Sequence, residues 1–278
     1  MGSEMCIRDS PLILQAKIEN DFKIIADYMT DNKLFLNSDK THLLIMTSSR
    51  SHSLKGDFGI KLNTGTEIIE PSQKERLLGA NLTNDFLWKD HLRDNKKSVI
   101  SVLKTKNNAL SMISHYSSFL VRKMIANGTI MAHIMYHIQL YGGCSKELIS
   151  ALQIQQNRAA RTVCKRPFRT RTETLLNEIG WMTVQQMVAF YSIWTLYKTR
   201  NTGLPQYLHD SISTEFKQKT RLADYGIRSD RLFTTSIGQT SFIPRSIDLW
   251  NELPISIRQE DSPNLFSQKL KEWVKQNF

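Results

Sequence analysis

The stretch RAARTVCKRPFRTR combines six cations with one aromatic ring and contains no acidic residue. Arg158, Arg161 and Lys165 fall on one side of a helix, where a stripe of cations can follow a phosphate backbone. Phe168 adjoins these cations in the sequence, so its ring could stack on a base of the same nucleic acid. The alternative is an ordinary solvated helix end whose cations complement the helix dipole. The other cations of this stretch are Arg166, Arg169 and Arg171.

Side chains that hold metals or attack substrates are scarce. Polymerases and nucleases need two or three carboxylates that converge on divalent metals, but the chain has no Asp-Asp pair and its acids are dispersed. His133 and His137 have the spacing of a metal-binding helix, but they lack a third ligand and the glutamate of a metalloprotease. We therefore interpret them as hydrogen-bonded or half-exposed histidines. The sequence predicts no metal site, no cofactor and no Gly-rich phosphate loop in this chain.

The charge balance favours a polyanionic partner. The chain has 37 Lys and Arg against 26 Asp and Glu, a net charge of +11, and this balance is typical of proteins that bind nucleic acid. Neither a signal peptide nor an apolar run of membrane-spanning length is evident. We therefore expect an intracellular protein, nuclear or cytoplasmic, with no membrane partner. Its three cysteines, Cys6, Cys144 and Cys164, are predicted to be reduced thiols.

The first ten residues, MGSEMCIRDS, show no periodicity and are left out of the fold prediction. The stretch MCIRDS resembles a translated sequencing-adapter fragment. A true upstream part of the protein would then be missing, so we expect the chain to be a fragment.

Residues 11–84 are predicted to form one helix and a small antiparallel sheet. Apolar residues recur every three or four positions from Leu12 to Leu34, as in an amphipathic helix. Four short β-prone runs follow, separated by Gly-rich and Asn-rich turns. The runs are THLLIM, FGIKL, TEIIE and RLLGANL.

Helical patterns replace the strand signals after Asn84. Residues 85–170 are predicted to form a helical region that begins with Asp85 as N-cap, and residues 171–278 a helical extension with a loop around 211–238. The fold class is therefore α+β, predominantly α. The predicted helices span residues 85–110, 119–140, 146–165, 184–199 and 265–274. Four apolar anchors are predicted to bury the closing helix: Trp250, Leu253, Phe266 and Trp273.

The stretch from Tyr28 to Thr41 carries a pattern of an aromatic followed by Asn-x-Leu-x-Leu-Asn-x-x-Lys-Thr. It resembles a palm segment of non-LTR (LINE-type) retrotransposon reverse transcriptases, which in that family follows the Tyr-x-Asp-Asp catalytic hairpin. Four further blocks are similar to the family and come in its order, so the likeness extends from Leu12 to the end. The blocks are RLLGANLTNDFLWKDHL, LQIQQNRAARTV, LPQYL and WNELPISIRQEDSPNLFSQKLK.

The resemblance implies a palm edge, a thumb and a C-terminal extension without the upstream segments that carry the catalytic aspartates. Mg²⁺ then belongs to the full-length family only, and this chain cannot polymerise alone. Lys40 would lie beside the polymerase site as a general acid for the leaving group, on a turn positioned by Asn37. The alternative is an ordinary turn lysine with Asn37 as its Asx-turn partner.

The resemblance also implies contacts with a template-primer duplex of RNA and DNA. The Leu78–Gly79 strand would grip the primer, and thumb helices would present Lys96, Lys97 and Lys104 to the minor groove. The first hypothesis is thus a truncated reverse transcriptase that retains phosphate-backbone binding. The alternatives are a stand-alone helical nucleic-acid-binding module or retroelement remnant without enzyme activity, and a helical scaffold that binds no nucleic acid.

Overall fold

The computed structural model describes residues 11–46, 59–65, 67–212, 225–229 and 236–278. The stretch assigned to an adapter origin, residues 1–10 with Cys6, lies outside this part, as does most of the predicted loop 211–238. The described residues are mostly helical with a few small sheets, which confirms the α+β, predominantly α class. The chain divides into two units, residues 1–91 and residues 92–278.

The first unit is built on helix α1 (Pro11–Asp31), which confirms the amphipathic helix predicted there. Pro11 occupies its first turn, where a missing N–H costs nothing. One face of α1 packs on a small core, although no residue of the helix is itself fully buried. The packing residues are Leu14, Ile18 and Phe22, and the core residues are Leu43, Ile60 and Leu62.

Six short strands follow α1 in the described part of the first unit. The expectation of one small antiparallel sheet is wrong, because these strands form three separate pairs and one of them is parallel. Strands of two to four residues are too short to join into one sheet, and Pro71 has no N–H to extend its ladder. The pairs are β1 (Leu43–Leu44) with β4 (Pro71–Ser72) in parallel, β2 (Leu62–Asn63) with β3 (Ile68–Ile69), and β5 (Lys74–Leu77) with β6 (Ala80–Thr83).

The run RLLGANL is a hairpin and not the single strand that was predicted. Leu77 pairs with Ala80, so Leu78 and Gly79 form the two-residue turn, with φ of 46° and 85°. Two left-handed residues define a type I′ turn, the geometry that X-Gly pairs favour in hairpins. Leu78 and Gly79 are therefore a turn, and the prediction that this pair lies within a strand is wrong.

Helix α2 (Val99–Ser114) begins later than predicted. Its N-cap is Ser98, whose hydroxyl accepts from the Ser101 N–H at 3.3 Å. Asp85, the predicted cap, instead accepts from the Leu87 N–H at 3.1 Å and from the Thr83 hydroxyl at 2.6 Å. This Asx turn competes with helix formation, so the chain stays irregular until one π-helical turn forms at Asp90–Asp94.

The helix predicted over residues 119–140 is interrupted. Three segments run on without a break: α3 (Phe119–Ala126), a π-helical turn (Asn127–Met131) and α4 (Ala132–Met135). The chain then leaves the helix, because His137 has a left-handed φ of 60°, and α5 (Ile138–Tyr141) follows. His133 and His137 therefore do not share one helix face, so their spacing of four residues does not indicate a metal-binding pair.

Helices α6 (Lys146–Cys164) and α8 (Val184–Thr202) confirm two predicted helices, and α7 (Thr172–Ile179) lies between them. Two local signals set these boundaries. Thr183 and Gln186 form a capping box at the start of α8, and Gly203 ends it with a left-handed φ of 68°. The single-turn helix α9 (Gln206–His209) comes next.

The C-terminal helices close the second unit around an aromatic cluster. Trp250, Leu253 and Phe266 are buried, as predicted, and Trp273 packs against them half-buried. The Phe266 ring stacks on Tyr197 of α8 with centroids 3.9 Å apart. The helices are α10 (Ser236–Thr240), α11 (Phe242–Glu252), α12 (Ile255–Arg258) and α13 (Pro263–Asn277). The start of α10 falls within the predicted loop 211–238.

No helix in the described ranges combines the length and the apolar character needed to cross a lipid bilayer.

Candidate nucleic-acid interface

The C-terminal end of α6 is held by a buried arginine. A continued helix would bring the N–H of residue 167 to the Val163 carbonyl, but Pro167 has no N–H. Arg122 supplies the donor instead, with its Nε 2.9 Å from that carbonyl, and its Nη1 donates to the Ser117 carbonyl. One guanidinium thus ties the turn between α2 and α3 to the end of α6. This link fixes the base of the cation-rich segment that follows.

The segment between α6 and α7, residues 165–171, is an exposed turn that we call the basic turn. Lys165 ends α6 in the left-handed conformation, with φ of 52°. The Thr170 N–H donates to the Pro167 carbonyl at 3.1 Å, and Arg171 is the N-cap residue of α7. Residues 165–169 and Arg171 are all exposed. The segment is therefore short, closed by hydrogen bonds and open to solvent along most of its length.

Phe168 projects from the basic turn with 85% of its surface exposed. Arg161 holds it in two ways. The Arg161 Nε donates to the Phe168 carbonyl at 3.0 Å, and the guanidinium carbon lies 5.2 Å from the ring centroid. The cation therefore covers part of one ring face, and the rest of the ring meets water.

The cations of this region differ in how firmly they are engaged. Arg158 donates to the Asn108 side chain at 2.7 Å, and Arg166 forms a salt bridge of 3.2 Å with Glu178 of α7. Lys165, Arg169 and Arg171 form no salt bridge with any residue in the described ranges. Arg158 and Arg161 are not paired with a carboxylate either, but their side chains are held by hydrogen bonds to Asn108 and Phe168. The three cations whose side chains form neither a salt bridge nor a hydrogen bond within the described ranges, which we call the free cations, therefore all belong to the basic turn.

The predicted stripe of Arg158, Arg161 and Lys165 is shorter than expected. Arg158 and Arg161 lie on α6, whereas Lys165 has left the helix. The reason is Pro167, since the residues before a proline avoid helical geometry and the helix ends ahead of it. Lys165 contributes its charge to the basic turn instead.

The predicted thumb lysines occupy two different settings. Lys104 is exposed on α2, as expected, but Lys96 and Lys97 lie in the turn before that helix. The turn forms because the Asn95 side chain accepts from the Lys97 N–H at 2.9 Å and Ser98 caps α2. The placement of Lys96 and Lys97 on a helix is therefore wrong, although both are exposed.

Asn37 and Lys40 form a tight turn in the first unit. The Lys40 N–H is shared between the Asn37 carbonyl at 3.1 Å and the Asn37 Oδ1 at 3.2 Å. The Thr41 hydroxyl donates to the same carbonyl at 2.9 Å. Asn37 therefore sets the geometry of this turn, and Lys40 is exposed at its end.

Several buried groups have shifted pKa values, but none suggests a nucleophile. Burial raises the pKa of Cys144 and Cys164 to about 11, so both free thiols are protonated at neutral pH. Burial, with a smaller effect of Lys106, lowers the pKa of His133. Burial also lowers the pKa of Arg245 to about 10. The two described cysteines, Cys144 and Cys164, are not joined in a disulfide, as the sequence predicted.

Within the ranges the structure describes, no group of three or more His, Cys, Asp or Glu side chains is placed to hold a metal ion. The acidic residues in the described ranges are therefore not grouped as ligands for the Mg²⁺ that the resemblance implies for full-length family members.

Comparison of the chain with protein-family models, curated proteins and solved structures finds no match.

Proposed function

We propose that this chain is part of a LINE-type reverse transcriptase and that its own activity is to bind RNA and DNA by the phosphate backbone. The observation that carries the proposal is the basic turn, which places Lys165, Arg169 and Arg171 together in solvent without carboxylate partners in the described ranges. Cations that are not neutralised within the protein are available to replace the counterions of a nucleic acid.

Backbone binding suits the chemistry of these side chains. They are exposed on a turn and not set in a groove-filling helix, so they meet phosphates before they meet base edges. Such contacts carry little sequence information, and the net charge of +11 adds a long-range attraction for any polyanion. We therefore expect binding that weakens steeply with salt and depends little on sequence.

The first unit has exposed apolar surface of the kind expected at the edge of a larger palm. Helix α1 leaves several apolar residues exposed, and the β5–β6 hairpin shares no strand with the other two described pairs. Apolar surface of this kind is normally covered by further chain. The exposed apolar residues of α1 include Leu12, Ile13, Ile24, Ile25 and Tyr28. In a complete polymerase, Lys40 would present its ammonium to the leaving pyrophosphate.

The second candidate is a stand-alone helical nucleic-acid-binding module. It is favoured by one observation, since the basic turn and the aromatic core both lie wholly in residues 92–278. This candidate predicts that residues 92–278 bind nucleic acid as tightly as the full chain does. A palm-edge role predicts that the first unit adds measurably to the affinity for a template-primer duplex.

The test removes the three free cations together. The variant Lys165→Gln/Arg169→Gln/Arg171→Gln is titrated against an RNA–DNA duplex by fluorescence anisotropy, between about 50 and about 200 mM salt. The slope of log affinity against log salt is negative, and each lost phosphate contact makes it less steep by about 0.9. The magnitude of the slope should therefore decrease by about 2 to 3.

The control variant Lys198→Gln/Lys271→Gln/Lys275→Gln removes the same charge from other exposed positions of the second unit. It should keep the slope of the unmodified chain. Equal losses in both variants would mean that net charge, and not the basic turn, binds the duplex. No binding by the unmodified chain at low salt would overturn the proposal in favour of a helical scaffold.

A further inference from the structure

We infer that Phe168 is a stacking platform for an unpaired base, so that the basic turn binds single-stranded nucleic acid in preference to duplex. The inference rests on the proposed function, because the ring acts on a strand that the neighbouring cations already hold. It goes further in naming the form of nucleic acid and the residue that selects it.

The exposure of Phe168 is the first observation. A phenylalanine that is 85% exposed leaves nearly all of its apolar surface in water, on a turn where small polar residues are usual. The ring contributes almost nothing to the core, so its surface is available for a contact with a ligand.

The second observation is that this exposed ring is held in place. Pro167 restricts the backbone before it, the Thr170 N–H closes the turn, and Arg161 binds both its carbonyl and its ring. An aromatic side chain fixed before binding loses less conformational entropy when a ligand arrives.

The geometry of the ring points to an unpaired base. Arg161 lies towards one face, which leaves the other face open for a flat partner and would give a stack of guanidinium, phenyl ring and base. Within a duplex both faces of every base are covered by neighbouring base pairs. Only a single strand, a bulge or an open duplex end presents a free face.

The charges around Phe168 argue against a protein partner. Its exposed neighbours in the basic turn are Pro167 and the cations Lys165, Arg166 and Arg169. Only Pro167 adds to the apolar surface, which is too small to be a patch of the kind that proteins dock on. An aromatic ring among cations is the arrangement by which proteins bind single strands. Charge and ring together therefore select a polyanion with flat, exposed groups.

The experiment compares two ligands of equal length with the full chain. One is a single strand, and the other is a duplex whose ends are closed by non-nucleotide linkers, so that it offers no unpaired base. Phe168→Ala should weaken binding of the single strand by roughly 5- to 150-fold, the usual range for one base stacked on one aromatic. Its affinity for the closed duplex should be unchanged.

Two further variants make the comparison specific. Phe168→Trp keeps a stacking surface and should retain the preference for the single strand. Tyr207→Ala removes another exposed aromatic of the second unit and should change neither affinity. In addition, a single strand carrying one 2-aminopurine should lose fluorescence on binding the unmodified chain, and Phe168→Ala should reduce that quenching.

The outcomes separate the inference from the proposed function. If the unmodified chain binds neither ligand, the proposed function fails and the inference fails with it. If both ligands bind with the salt dependence assigned to the basic turn but Phe168→Ala changes neither affinity, the stacking role alone is refuted. An equal loss on both ligands would also refute it, because the ring would then support the turn and not a base.

Discussion

Arg122 is only 5% exposed, and its guanidinium donates to two main-chain carbonyls, that of Val163 at the end of α6 and that of Ser117 in the turn between α2 and α3. Burying a guanidinium costs several kcal/mol of desolvation when no carboxylate neutralises it. Charge-assisted hydrogen bonds and the negative end of the α6 dipole offset that cost. Arg122 is therefore a structural residue that positions the basic turn without touching a ligand.

Arg122→Met should lower the free energy of unfolding by about 2–4 kcal/mol, because two carbonyls lose a charged donor and one of them has no helical replacement. The measurement is urea unfolding of the second unit, compared at equal m-values. Arg169→Met, an exposed change in the basic turn, should stay within about 0.5 kcal/mol of the unmodified chain. Similar effects for the two variants would contradict the structural role of Arg122.

The types of the interface residues could be predicted from sequence, but their partners could not. The cations of the basic turn stand together in the chain, so their common location follows from spacing alone. Glu178 and Asn108, which engage Arg166 and Arg158, lie 12 and 50 positions away, so only the folded chain brings them there. The sequence contained one local indication of the role of Arg122. Pro167 leaves the carbonyl of Val163 without its usual donor, so another group has to supply one.

At the scale of secondary-structure elements, the β5–β6 hairpin contains a conflict between sequence and geometry. Leu78 takes the first left-handed position of the turn, where a bulky side chain is disfavoured and Asn is preferred before Gly. Its side chain is 78% exposed, so little packing compensates for the strained backbone.

Leu78→Asn should therefore stabilise the chain by up to about 1 kcal/mol, since it removes strain and loses little buried surface. Chemical denaturation followed by a signal from the first unit measures the change. Leu77→Asn, one position earlier in the strand, should be neutral or destabilising because Asn is a poor strand residue. A destabilising Leu78→Asn would show that the exposed leucine makes contacts worth more than the strain.

Helices were predictable where one apolar face repeats without interruption, as in α6 and α13. The π-helical turn at Asn127–Met131 could not be predicted, because it takes part in a tertiary contact that the local sequence does not reveal. The Trp181 Nε1, 54 positions away, donates to the Asn127 side chain at 2.8 Å. The strands were the least predictable elements. Runs of two to four residues carry too little pattern to fix their pairing or direction.

At the scale of the whole chain, the two units have very different cores. Among the described residues, the first unit has a buried cluster of three, whereas the C-terminal cluster of the second unit alone contains twelve. Conformational entropy opposes folding in proportion to length, so we expect the first unit to lack the burial needed for independent stability.

Expressed separately, residues 92–278 should unfold in one cooperative transition, whereas residues 11–91 should bind ANS and aggregate through exposed apolar surface and open strand edges. Circular dichroism and light scattering distinguish the two results. A monomeric piece 11–91 with a sharp thermal transition would contradict this expectation. It would also weaken the view that the first unit belongs to a larger palm.

The aromatic cluster that closes the second unit also has a consequence for the order of synthesis. Tyr197 is made with α8, but its stacking partner Phe266 belongs to α13 and lies about seventy residues further along the chain. At about 5–20 residues per second, the ribosome takes several seconds to deliver that partner. Throughout that time the aromatic face of α8 is uncovered on the nascent chain, so a chaperone that shields it would raise the yield of folded protein.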